Sequence, residues 1–92
     1  MTVAYQVIYR GHVQGVCFRA QTMQCANQFI VQGYVHNCTD GSVHLFVQGE
    51  ESVIEGFLAK VLTTMHEHIV RHSKQAAKVD LSIRDFTIRP TT

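Results

Sequence analysis

Ninety-two residues, 46% of them hydrophobic and 16% charged, suffice for one packed core and are too few for two, so residues 1–92 are expected to form a single domain. Eight Lys and Arg against seven Asp and Glu leave a formal net charge of +1, which supplies no positive field for a polyphosphate chain and argues against nucleic acid as a partner. No apolar run approaches the roughly 20 residues of a membrane span, Met1–Gln6 lacks the features of a signal peptide, and Cys17, Cys25 and Cys38 form an odd set without CxxC spacing; a cytoplasmic chain with reduced thiols and no membrane partner is expected.

Tyr5 to Arg10 alternates, with Tyr5, Val7 and Tyr9 on one face and Gln6, Ile8 and Arg10 on the other, which predicts a first strand ending at Gly11. From Ala20 to Val31 the apolar residues Met23, Ala26, Phe29 and Ile30 recur at helical spacing, and Gly33 follows as a left-handed stop. Tyr34–Cys38 and Ser42–Gln48 are rich in β-formers. The Asp40-Gly41 pair between them favours a tight turn, so these two strands are predicted to pair antiparallel.

Ser52 and Glu55 have capping-box spacing, and Ile54, Phe57, Leu58, Val61, Leu62 and Met65 form the apolar stripe of a second helix. Glu50, Glu51 and Glu55 suit the positive end of its dipole and read as structural. Between His66 and Ile83 no single period holds: Ile69-Val70 fits the opening of an edge strand, and Ala76–Ile83 fits either a loop or a short strand. Asp85–Arg89 alternates again and is closed by Pro90, giving a last strand. The order βαββαβ predicts an α+β, ferredoxin-like sandwich, with two helices on one face of a largely antiparallel sheet. That architecture hosts enzymes, ligand sensors and RNA binders alike, so function rests on the site.

The segment between the first strand and the first helix reads Gly11-His12-Val13-Gln14-Gly15-Val16-Cys17-Phe18-Arg19. Two glycines four apart let the backbone turn and aim successive N–H groups into one concavity, and the helix adds the positive end of its dipole. Arg19 closes the segment, where a guanidinium fork can grip two phosphate oxygens. The nucleotide motifs GxxxxGK[ST] and GxGxxG are absent, and no acidic residue stands beside the loop to hold magnesium. Cys17 is too near Arg19 for a cysteine-phosphatase loop and reads as a small packing residue.

This nine-residue stretch, followed by Asn37 in Gly33-Tyr34-Val35-His36-Asn37 and by Asp40-Gly41-Ser42-Val43, resembles the acylphosphatase family, as do the chain length, the element order and the closing Asp85-Phe86-Thr87-Ile88-Arg89. The resemblance implies that Arg19 binds a substrate phosphate, that the backbone amides of Gln14, Gly15, Val16, Cys17, Phe18 and Arg19 surround it, and that Asn37 positions the attacking water. It further implies a monomeric, free-standing, metal-independent hydrolase with no cofactor. Its substrate would be a small acyl phosphate, with inorganic phosphate as product and competitive inhibitor. His12 stands where Lys or Arg is common in the family and Cys17 where Gly or an aromatic is common.

Other readings are weaker. A non-catalytic, anion-binding or regulatory module of the same fold is the alternative. His66, His68 and His72 do not share one face in any single conformation, so they read as a solvated helix end and no metal site is expected. An RNA-binding sheet would need paired aromatics and a basic face, and the near-neutral charge argues against it.

Overall fold

The computed structural model describes residues 1–92. Its elements are β1 (Thr2–Gly11), α1 (Phe18–Ala26), β2 (Gln32–Asn37), β3 (Val43–Glu50), α2 (Glu51–Met65), β4 (Ile69–Ala77) and β5 (Phe86–Ile88), and the sheet runs β4-β1-β3-β2-β5. The fold is the ferredoxin-like α+β sandwich. Strands β1, β2, β3 and β4 pair antiparallel, whereas the short β5 joins β2 in parallel and makes the sheet mixed. Neither helix is long and apolar enough to cross a membrane.

Strand alternation sends Val7, Tyr9, Val43, Leu45, Val47 and Val35 to the helix side, where all are buried with Ile54, Phe57, Val61 and Met65 of α2. The α2 stripe is as the sequence predicts, with Leu58 and Leu62 half-buried at its margin. The helix starts earlier than its capping-box spacing suggests. Glu50 is the N-cap, without a side-chain cap bond, so Ser52 lies inside the first turn. Glu51 in that turn instead accepts a hydrogen bond from Tyr5 Oη at 2.9 Å, which holds the Tyr5 hydroxyl above its usual pKa.

The first helix departs from its predicted range. It begins at Phe18 and ends at Ala26, burying Phe18, Thr22, Cys25 and Ala26, while Ile30 is 91% exposed. Thr22 hides in the buried stripe because its hydroxyl donates to the Phe18 carbonyl at 2.9 Å, so no polar atom is left unpaired. After Ala26 the chain tightens through Gln28 N–H to Cys25 O and Phe29 N–H to Ala26 O, which unwinds the helix and lets Phe29 pack edge-on to Phe57. Gly33 is therefore no helix stop; it lies within β2, paired with Val47.

The ambiguous stretch resolves into the edge strand β4 and an exposed loop. Nearly every β4 residue is exposed, so no hydrophobic alternation was available to mark it. The loop returns across the helix-free face of the sheet to reach β5 at the opposite edge. Gln48, 2% exposed on β3, ties it down: its Nε2 donates to Asp80 O at 2.9 Å, and its Oε1 accepts from Asp80 N–H at 2.8 Å. On that same face β2 and β3 form a ladder of like pairs, Gln32 opposite Gln48, Tyr34 opposite Phe46 and His36 opposite His44. Arg89 stacks over Tyr34 at 3.7 Å.

Candidate active site

The loop from His12 to Cys17 is held at three points. Val13 is fully buried, and Phe18 is buried against Tyr9 with ring centroids 5.1 Å apart, which fixes both ends. Between them the Gln14 side chain donates from Nε2 to Cys38 O at 2.7 Å and Ser42 O at 2.8 Å, fastening the loop to the β2–β3 hairpin. This side-chain role of Gln14 was beyond sequence reasoning, because its partners are carbonyls brought close only by the fold.

With those anchors in place the intervening backbone turns outward. Gly15 has φ +77° and Cys17 has φ +60°, ψ +27°, the left-handed region. No backbone N–H of Gln14, Gly15, Val16 or Cys17 donates to another protein group. The first hydrogen bond of α1 runs from Gln21 N–H to Cys17 O, so the Phe18 and Arg19 amides also lie ahead of the helical ladder.

Cys17 is exposed rather than packed, which corrects the sequence expectation; an outward-turned loop leaves nothing for the thiol to pack against. A left-handed conformation costs a non-glycine residue about 1–2 kcal/mol. Cys17→Gly is therefore expected to stabilise the protein by about 0.5–1 kcal/mol after the entropy glycine adds to the unfolded chain, read as a higher urea midpoint.

Loop and hairpin meet at a cleft of about 400 Å³ lined by Val13, Gly15, Cys17, Phe18, Arg19, Ala20, Asn37 and Ile88. Arg19 and Asn37, eighteen positions apart in the chain, thus face one space. Arg19 takes part in neither of the protein's two ion pairs, which are Met1–Glu50 and Arg10–Asp40. Asn37 is bonded within the protein through its backbone carbonyl, which accepts Thr92 N–H at 3.0 Å and contacts His36 Nδ1 at 3.1 Å. His12 is exposed and does not line the cleft. A second groove of about 230 Å³ between α2 and β4 is mostly apolar, and no loop amides converge on it.

The hairpin that carries Asn37 is set by its turn. Asp40 Oδ1 accepts both Ser42 N–H at 3.0 Å and Ser42 Oγ–H at 2.5 Å, and Arg10 Nη1 sits 3.4 Å from Oδ2. The Ser42 bonds, and then the Arg10 charge, hold the Asp40 carboxyl down to about 2. A carboxyl lowered on folding stabilises the fold above its unfolded pKa of about 3.9, and loses that contribution as pH falls through the folded value. Asp40→Asn should accordingly be less stable than wild type at neutral pH. The gap should close between about pH 4 and pH 2, as measured by urea unfolding across that range.

His66, His68 and His72 do not assemble: His66 follows α2, with Nδ1 3.0 Å from Thr63 O, whereas His72 lies on β4 beside Tyr9. The histidines that do come together are His36 and His44, with Cys38. The signal for them was available, because a three-residue turn Thr39-Asp40-Gly41 sets 38 opposite 42 and 36 opposite 44.

A family model described as acylphosphatase matches residues 5–88. An acylphosphatase of a Synechococcus strain is 35% identical over 89 residues, 97% of this chain and 95% of that one. The acylphosphatase of Thermotoga maritima is 34% identical over 86 residues, 94% and 96% of the two chains. Among solved structures, the crystal structure of acylphosphatase from Bacillus subtilis superposes with a TM-score of 0.83 at 26% identity, covering 97% of this chain and 99% of that chain.

Proposed function

The chain belongs to the acylphosphatase family, whose reaction is the hydrolysis of acyl phosphates, and from that premise we propose that the amides of Gln14 to Arg19 and the Arg19 guanidinium hold the phosphoryl group while Asn37 orients the attacking water. One observation carries this reading: a run of backbone N–H groups without partners in the protein lies in the loop whose Gly15, Cys17, Phe18 and Arg19 line one cleft with Asn37.

The chemistry fits so spare a site. The leaving group is a carboxylate, whose conjugate acid has a pKa near 4, so it departs without a proton from the protein and without a Lewis acid. What the protein must supply is charge compensation on the phosphoryl oxygens and alignment of water with the bond that breaks. Aligned amides and a bidentate guanidinium provide the first. The carboxamide of Asn37 provides the second, since it both donates and accepts hydrogen bonds and places no negative charge beside the phosphate. No metal enters this scheme.

The test is hydrolysis of benzoyl phosphate, followed with and without a chelator. Turnover unchanged by chelator and inhibited competitively by inorganic phosphate is the expected result. Asn37→Ala should lower kcat by about 10²–10³ with a smaller effect on phosphate binding. Calorimetric binding of phosphate without hydrolysis would select the non-catalytic anion-binding module instead.

A further inference from the structure

Asn37 faces the cleft, and strand alternation turns its neighbours His36 and Cys38 to the opposite, helix-free side of the sheet. There His36 is paired directly with His44 on β3, their ring centroids 5.5 Å apart. Cys38, two positions further toward the turn, places Sγ 3.8 Å from His36 Nδ1. One donor atom from each of the three lies within 4.8 Å of the others, and all three residues are half-buried. None of these side chains has a part in the proposed hydrolysis.

We propose that His36, Cys38 and His44 form a three-donor site for a borderline transition-metal ion of the Zn²⁺ class, on the face of the sheet behind Asn37. Imidazole nitrogen with one thiolate is the donor set such ions select, and hard cations such as Mg²⁺ and Ca²⁺ prefer oxygen. Zinc–sulfur and zinc–nitrogen bonds of about 2.3 and 2.0–2.1 Å place tetrahedral donors about 3.3–3.6 Å apart. The Cys38–His36 separation is already close to this, and the remaining gap, at most 4.8 Å, closes by about 1.2–1.5 Å, within reach of side-chain rotation. The backbone beneath is fixed by the Asp40–Ser42 turn and by the Gln14 bonds to Cys38 O and Ser42 O, so the donors are presented by a rigid hairpin. On binding, the metal displaces the Thr92 hydroxyl that lies 3.1 Å from His36 Nδ1, and water completes the shell at the fourth position. On binding, the Cys38 thiol gives up its proton to solvent and coordinates as thiolate.

The experiment titrates Co²⁺, as the spectroscopic probe, into the reduced 92-residue chain freed of metal by chelator. A thiolate-to-cobalt charge-transfer band should saturate at one equivalent and vanish when Zn²⁺ displaces the probe. Cys38→Ser should abolish the band, and His36→Gln and His44→Gln should each weaken binding at least about tenfold. His66→Gln should bind as wild type. A second measurement needs no variant: Zn²⁺ should slow carboxamidomethylation of Cys38 in the wild-type chain, with the exposed Cys17 as internal reference. The proposal is overturned by a band that survives Cys38→Ser, by affinities unchanged in both histidine variants, or by Cys38 alkylating equally fast with and without Zn²⁺.

Discussion

Arg19→Ala is expected to abolish measurable hydrolysis of benzoyl phosphate, a loss of about 10³–10⁵-fold, while the urea midpoint stays within error of wild type. The size follows from the chemistry: in phosphoryl transfer a single guanidinium on the equatorial oxygens contributes on this scale, because charge compensation is most of what the protein supplies. The unchanged stability follows from the surroundings. Arg19 is half-exposed and outside both ion pairs, so its removal strands no charged partner. Arg19→Lys should recover little, since a point charge on a flexible stem cannot reproduce two parallel N–H bonds. Wild-type turnover in Arg19→Ala would remove the catalytic proposal, and unfolding of that variant would show that the side chain has a structural role not visible in its contacts.

The largest effect on stability is expected at Gly33. Its φ of +153° is rarely adopted by L side chains, and a Cβ there would lie 1.9 Å from the Phe46 carbonyl oxygen and 2.8 Å from the carbonyl carbon. Both are backbone atoms of the neighbouring strand, so no side chain can swing aside. Relief requires β2 to move away from β3 at the Gly33–Val47 pair, in the middle of the buried sheet. Gly33→Ala should therefore cost at least about 3 kcal/mol, out of a total of roughly 5–15 for a domain of this size. Gly15→Ala is the comparison. It also has a positive φ, but nothing lies within 4 Å of its added Cβ, so its cost should stop at the conformational penalty of about 1–2 kcal/mol. Urea unfolding of the pair separates collision from backbone strain.

The parts of this fold that were legible in the sequence are those governed by local rules. Alternation marked β1, an apolar stripe marked α2, and Asp40-Gly41 marked the antiparallel hairpin. What escaped depends on partners distant in the chain. The stripe of α1 was misplaced because Thr22 is buried with its own backbone as partner, and because Phe29 leaves the helix to meet Phe57. Strand β4 was ambiguous since, as an edge with both faces wet, it has no need of alternation. For the candidate site, the amide loop, Arg19 and Asn37 came from motif and resemblance, and they share one cleft. The clamp made by Gln14 and the left-handed Cys17 had no such signature, since any residue's role in fastening one loop to another is written only in three dimensions.

The position of β1 bears on how the chain reaches this state. The earliest strand to be synthesised lies between two later ones, so that Tyr9 must find Val43 on one side and His72 on the other. A nascent chain that has not yet produced Ile69–Ala77 therefore cannot close the sheet. Only the β2–β3 hairpin can assemble from neighbouring residues, and it does so with the apolar row Val43, Leu45 and Val47 uncovered. Folding dominated by such distant pairings proceeds in about milliseconds to seconds, slow enough for that row to be met by chaperones or by other nascent chains before α2 covers it.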